Sequence, residues 1–330
     1  MKKKSKMILL GILIIFLIFV GYFFIGSAPQ AKEITFGVNF SQKHAQDLGL
    51  DWRENYLALL DDLKVKEIKL ITHWDLIELE KDRFYFDDLD WQIEETEKRG
   101  AKIILVIGMK TGRWPECHLP GWAKNLTKKE QQERVLNLIE KIVLRYREHF
   151  SIWAFEVENE PLFPFGQCAW KDKNFLKKEI NLVKLLDLQK RPILISDSGE
   201  GSFWMTAAKL GDIVGTTMYK RAWFREANIY VHYPFPSVFY WRKSQLIKKI
   251  FKKDVICIEL QAEPWCPELL YNCSLEEQQK TMNLEQFKFN IEFAKRTGLD
   301  KFYLWGAEWW FWMKEKQQKP EIWNTAKRLF

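Results

Sequence analysis

The stretch Phe155-Glu156-Val157-Glu158-Asn159-Glu160-Pro161 puts three carboxyl groups and a carboxamide at the end of an aromatic and β-branched run, 153–157. In an extended chain, alternate side chains share a side, so Glu156, Glu158 and Glu160 are expected on one face. Like charges that close raise one another's pKa, so one of the three should hold a proton near neutrality, as a general acid must. Pro161 then ends the strand by removing a ladder donor. A second acid closes the apolar run Val255-Ile256-Cys257-Ile258-Glu259. A charge there is costly unless it is paired or used. Glu263, a little further on, and Glu308, after the last strand, are its rivals for that role.

Asn159-Glu160-Pro161 following Trp153-x-x-Glu156 resembles the fourth strand of the clan A glycoside hydrolases, the retaining (β/α)8 barrels that include cellulases, mannanases and β-galactosidases. A second segment, Trp74-x-x-x-Glu78 to Phe84-x-Phe86-Asp87-x-x-Asp90, resembles the clan's link between strand two and its helix. The resemblance implies that Glu160 is the acid/base, that Asn159 contacts the sugar 2-hydroxyl, and that Glu259, ending strand seven, is the nucleophile. It further implies that Tyr219 hydrogen-bonds the nucleophile, that Trp305 floors the first sugar subsite, and that His73 contacts sugar or nucleophile. Trp74, Arg113, Trp265 and Glu308 complete the expected substrate-binding set. Glu156 matches a recurrent interior group. Glu158 stands where many relatives have a small or apolar residue, and the run Glu259-Leu260-Gln261 departs from the Glu-Phe-Gly or Glu-Tyr-Gly common after the nucleophile.

Two such acids about 5 to 5.5 Å apart would cleave a glycoside with retention: Glu259 attacks the anomeric carbon while Glu160 protonates the leaving oxygen, then deprotonates the water that frees the sugar. A non-catalytic glycan-binding barrel, with the same aromatics and purely structural acids, is the alternative. Lyase or isomerase chemistry would call for a metal cluster or a lysine base at a strand end, and the sequence displays neither motif.

The elements that must hold these residues alternate in type. Strands are expected at 34–39, 67–72, 102–107, 153–157, 192–196, 212–218, 254–260 and 301–305, with helices between most of them, including 52–63, 128–149, 175–189, 275–296 and 320–329. Eight βα units predict an α/β (β/α)8 TIM barrel with its site at the C-terminal strand ends. An open doubly wound sheet would want a glycine-rich phosphate turn after strand one, which Gly37-Val38-Asn39 does not supply. The aperiodic segment 220–236 is expected to be a lid or groove wall.

Composition bounds the rest. The chain has 330 residues, 47% hydrophobic, with 16 tryptophans, enough for one large core. Its net charge of +7 is concentrated at one end: without Lys2, Lys3, Lys4 and Lys6, 47 basic residues against 44 acidic ones leave +3, no case for nucleic acid. The uncharged run 7–25, about 28 Å long as a helix, is expected to form a single N-terminal transmembrane helix. The lysines before it predict that the N-terminus stays inside and the remainder is extracytoplasmic. Cleavage after Gly26-Ser27-Ala28, giving a secreted protein, is the competing expectation. The chain thus divides into 1–30, a basic stub and anchor, and 31–330, a monomeric catalytic domain whose partner is a carbohydrate; no cofactor and no metal are expected. Of five cysteines, Cys266 and Cys273 are expected to pair locally, Cys117 and Cys168 across neighbouring loops, with Cys257 a buried thiol.

Overall fold

The computed structural model describes residues 2–225 and 227–330, with side chains from Met7 onward. The side chains of Lys2, Lys3, Lys4 and Lys6, which carry the orientation expectation, lie outside that description. Among the described residues there are ten strands: β1 (Thr35–Phe40), β2 (Glu67–Ile71), β3 (Lys102–Ile107), β4 (Ile152–Val157), β5 (Ile193–Asp197), β6 (Ile213–Met218), β7 (Arg221–Phe224), β8 (Ile229–His232), β9 (Val255–Gln261) and β10 (Lys301–Trp305). Eight of them close a parallel barrel in the order β1-β10-β9-β6-β5-β4-β3-β2. This is the expected (β/α)8 architecture.

Alternation divides the side chains of each strand between two cores. Ile104, Ala154, Leu194, Ile256, Ile258 and Tyr303 fill the barrel's interior, and the larger cluster lies between the strands and the helices outside. The helix Lys128–Tyr146 shows how the outer layer is built. Thr127 and Glu130 form a reciprocal capping box at its start, and Val135, Leu138, Ile139 and Ile142 are all buried against the sheet.

Several expectations are corrected. The segment 220–236 contains an ordered antiparallel hairpin, β7–β8, rather than aperiodic chain. The long helix expected at 275–296 is two, Leu275–Gln279 and Leu284–Lys295, because Asn283 caps the second by accepting from the Gln286 N–H. A helix, Ala307–Glu315, follows β10 directly. Cys117–Cys168 is bonded and Cys257 is buried, as expected, but Cys266 and Cys273 are free.

At the N-terminus, Lys2–Phe24 is one helix, and its Met7–Phe24 portion is apolar and long enough to cross a bilayer, with a mean hydropathy of 2.9. Its last turns touch the barrel, where Phe23 packs on Phe203 and Phe239.

Candidate active site

Two backbone irregularities aim the acids. In β9 the pairing register slips on both sides, with Thr216 opposite Cys257 but Thr217 opposite Glu259, and Phe302 opposite Cys257 but Leu304 opposite Leu260. Strict alternation with Ile256 and Ile258 would send Glu259 outward. The bulge lets Ile258 and Glu259 both face the barrel interior, a re-aiming that bulges commonly perform beside active sites. In β4 the regular strand stops at Val157, and Glu158 and Glu160 both take left-handed backbone, φ 61° and 42°. Such a conformation is uncommon for non-glycine residues and costs of order 1 kcal/mol or more.

The expectation that the three glutamates share one face therefore fails. Glu156 points into the barrel. Glu158 is turned out toward Glu179 on the helix Lys173–Leu186, where its carboxylate accepts the N–H groups of Met109 and Lys110 at 2.8 and 2.6 Å. Gly108, at φ 122°, leaves room for it: a Cβ there would stand 2.5 Å from Glu158 Oε1. Glu160 returns to the mouth of the barrel, its own N–H donating to Ser196 Oγ at 2.7 Å.

Glu259 is held from two sides. The Tyr219 hydroxyl donates to Oε2 at 2.8 Å, and the Lys69 ammonium lies 3.4 Å from Oε1. Lys69 is fully buried, 3.0 Å from Glu156 Oε2, and donates to Asn159 Oδ1 at 3.0 Å. Burial works against its charge, but Glu156 and then Glu259 outweigh that and raise its pKa. Glu156 is itself pushed up, mainly by burial, and accepts from Ser196 Oγ at 2.6 Å.

Glu160 is less well compensated. The Lys110 ammonium donates to its backbone O at 2.9 Å rather than to its carboxyl, Thr217 Oγ1 is 3.4 Å from Oε1, and burial together with the charge of Glu259 outweighs Lys110 and drives its pKa well above the ordinary carboxylate value. It therefore keeps a proton near neutrality, beside the carboxyl of Glu259 that Lys69 and Tyr219 hold. Beside it, Glu116 is buried and pushed up to about 7, chiefly by burial.

A second cluster borders the first. Arg113 pairs with Glu263 and, at 2.9 Å, with Glu308 Oε2, while its guanidinium lies 4.1 Å from the Trp305 ring centre. His44 reaches Glu263 at 3.2 Å, and Ser41 N–H donates to Glu308 Oε1 at 2.6 Å. Although Glu263 is buried, Arg113 and His44 bring its pKa down to about 2. His44, Glu263 and Glu308 place three possible metal-ligating atoms within 4.8 Å of one another, but Arg113 already balances the two carboxylates.

Of the expected binding residues, Tyr219 and Asn159 join the Lys69–Glu259 cluster, and Arg113, Trp305 and Glu308 form the bordering one. Trp265 joins them edge-on to Tyr219, 5.0 Å between ring centres. His73 is buried just behind, its Nε2 3.1 Å from Ser41 Oγ, and burial then His118 press its pKa well below the usual imidazole value, so it is neutral. Trp74 is a correction: it is fully buried, donates its indole N–H to Glu78 at 2.8 Å and packs on Trp122, so it belongs to the outer core. Lys69, Ser196, Thr217 and Glu116 were not singled out from sequence. Lys69 did carry a signal, a charge in the middle of the apolar strand Ile68-Lys69-Leu70.

The arrangement belongs to the class of closed parallel barrels with an acid cluster at the C-terminal strand ends. Comparison with models of known protein families finds no match, and none is found among curated proteins. Solved structures share the fold at low identity. A cold-adapted β-galactosidase from Rahnella sp. R3 superposes with a TM-score of 0.57 at 12% identity, over 85% of this chain and 52% of that one. A GH5_18 protein from Bifidobacterium longum subsp. longum gives 0.57 at 12%, over 83% and 70%. An endo-β-1,4-xylanase of glycoside hydrolase family 10 from Gloeophyllum trabeum gives 0.54 at 17%, over 84% and 85%. The chain thus spans about half the length of the β-galactosidase it matches and most of the xylanase.

Proposed function

We propose that the chain is a retaining β-glycoside hydrolase in which Glu160 is the acid/base and Glu259 the nucleophile. The observation that carries this reading is the asymmetry of the two acids at the barrel mouth: Glu259 is held by Tyr219 and Lys69, whereas Glu160 lies buried beside it with no ion pair on its carboxyl among the described residues. A proton donor and an anion are thus ready together before substrate arrives.

Lys69 and Tyr219 fix the Glu259 carboxylate for attack on the anomeric carbon, and Glu160 gives its proton to the departing oxygen. When the ester forms, the charge on Glu259 disappears and the pKa of Glu160 falls, so Glu160 becomes the base that activates water. Asn159, oriented by Lys69, is placed to bond a sugar hydroxyl next to the reacting carbon, and Trp305, braced by Arg113, offers a ring face to the pyranose. Glycosidase neighbours of the same fold agree with this chemistry, and one GH5_18 structure is a complex with Manb1-4GlcNAc. The substrate is a β-linked poly- or oligosaccharide. Residues 1–30 anchor the domain 31–330, with the N-terminus inside and the barrel on the extracytoplasmic side, in accord with the apolar helix.

The test is digestion of a panel of β-linked polysaccharides and aryl β-glycosides, followed by mass detection of a 2-fluoro-glycosyl adduct. An adduct on Glu259 is expected. An adduct on Glu263 or Glu308 would reassign the nucleophile, and sugar binding without turnover on any member would favour the non-catalytic barrel.

A further inference from the structure

The N-terminal helix and the candidate site lie at the same end of the barrel. Phe19 and Phe23 of the helix pack on Phe203, 5.9 and 5.4 Å between ring centres, and Phe24 packs on Phe235 and Phe239 at 6.0 and 5.4 Å. Phe203 follows β5, and Phe235 and Phe239 flank the start of the helix Ser237–Phe251 that follows β6 and the hairpin, so all three lie beyond C-terminal strand ends. The following segment, 25–34, then runs down the outside of the barrel. A Cβ at Gly298 would be 3.0 Å from Pro29 O, and the Thr35 N–H donates to Asp300 O at the opposite end. The apolar helix therefore leaves the molecule at the rim that holds the acids. Of Met7–Phe24, 6% is buried, so nearly all of its apolar surface is free.

The hairpin rises from the same rim. Its base is fixed to the barrel strand of the candidate nucleophile: Gln261 accepts from the N–H groups of Lys220 and Arg221 and donates to Arg221 O. Its four-residue strands reach about 13 Å from that base. At the far end Phe224 and Ile229 face one another in the last register pair, 44% and 52% exposed, with exposed Arg225 beside them. Tyr22 of the helix carries Arg242 on its ring, 4.6 Å from the centre, so aromatic and basic groups meet where the helix departs. Apolar tips, aromatic rings and arginines are the groups that settle at a lipid–water interface.

We propose that the rim bearing the site rests against the lipid bilayer, seated by the N-terminal helix and the tip of β7–β8, and that the substrate is a saccharide presented from that membrane on a lipid anchor. The substrate half rests on the hydrolase reading; the surface half does not. With the mouth turned to the bilayer, a glycan whose reducing end is fixed in the lipid reaches Glu160 and Glu259 over the height of the hairpin, while a large soluble polymer has to enter from the side.

The full chain in vesicles of phosphatidylcholine with a quarter phosphatidylglycerol tests both halves. A fluorophore on Ile229→Cys should be quenched by phospholipid carrying a spin label near its glycerol, and one on Leu188→Cys, exposed at the opposite end, should not, both in a Cys273→Ser background. Equal quenching, or stronger quenching at 188, overturns the seating, as does an exported protein whose N-terminus begins after residue 28. For the substrate, an alkyl β-glycoside held in the same vesicles should be cleaved about tenfold less by Phe224→Asp/Ile229→Asp, with a soluble aryl glycoside unaffected. Equal loss on both, or no loss on either, overturns the lipid-borne substrate. No cleavage of any glycoside by the parent chain would defeat the hydrolase reading, while quenching still decides the seating.

Discussion

Two clusters of acids sit side by side at the barrel mouth, and they are compensated in opposite ways. Around Arg113, both Glu263 and Glu308 have a cation, and Glu263 is held at about 2. Around Lys69, one ammonium serves both Glu156 and Glu259, and the Glu160 carboxyl beside them has no ion pair among the described residues, the nearby Lys110 donating to its backbone O instead. A buried carboxylate that is fully paired is fixed in its charged form; one left over must take a proton. The first arrangement builds a wall. The second stores a transferable proton next to a carboxyl group held by Lys69 and Tyr219, which is the arrangement the proposed acid-assisted displacement requires.

The strongest test of this contrast is to remove one acid from each cluster. Glu160→Ala should lower the rate on a glycoside with a poor leaving group by ~10²–10⁴, the usual range for a lost general acid, and Glu259→Gln should cost at least as much. Glu263→Gln, in the wall, should leave the rate within about tenfold. Initial rates on one unactivated substrate check all three. A larger loss for Glu263→Gln than for Glu259→Gln would invert the roles given to the two clusters.

For stability the order reverses. Arg113→Met strands two buried carboxylates, and breaking such a pair typically costs about 3–5 kcal/mol. Lys69→Met should cost less, because Glu156, already pushed up by burial, can accept a proton in its place. Urea unfolding at neutral pH measures both. An equal or greater loss for Lys69→Met would show that the Lys69 cluster is as firmly ionised as the wall.

The wall's carboxylates should also show in the pH dependence of stability. Glu263 titrates at about 2 in the fold against roughly 4.3 in an unfolded chain, a contribution on the order of 3 kcal/mol. Because the folded value is the lower one, that stability is present above the unfolded pKa and disappears as pH falls from about 4.5 toward 2. The difference in unfolding free energy between the parent chain and Glu263→Gln should therefore shrink between pH 6 and pH 3. A difference that stays constant would mean Glu263 is not ionised by Arg113.

The sequence made the barrel legible because eight apolar runs at regular spacing leave few alternatives, and the candidate pair was legible because Glu160 and Glu259 end such runs. What it hid was set by backbone detail and by distance along the chain. Alternation alone grouped Glu158 with Glu156 and Glu160, and the left-handed turn at Glu158 separates them. Alternation would equally have turned Glu259 outward, and the bulge that re-aims it leaves no mark in the residues Ile258-Glu259. Lys69 lies 190 positions from Glu259, so nothing local tells that it is the shared cation. Trp74, placed at the site by its position after β2, is drawn into the outer core by Glu78 four residues later. Cys266 and Cys273, paired in expectation by proximity along the chain, remain thiols.

The smallest expected effect lies at Glu116, which borders the Lys69 cluster without belonging to the proposed reaction. Pushed up to about 7 by burial, it ionises near neutrality, and its charge helps raise the pKa of Glu160. An acid that must stay protonated loses activity on the alkaline side, so every neighbouring negative charge moves that limb upward. Glu116→Gln removes one such charge and should move the alkaline limb of kcat/KM downward by less than about one pH unit, a change of roughly 1 kcal/mol in the proton's affinity. The same variant removes a group whose folded pKa exceeds its unfolded one, so the loss of stability the parent chain suffers between pH 4.5 and 7 should be smaller in the variant. A shift of the limb with no change in stability would place the Glu116 charge outside the folded interior; a change in stability with an unmoved limb would separate Glu116 electrically from Glu160 and confine the proton store to the Lys69 cluster.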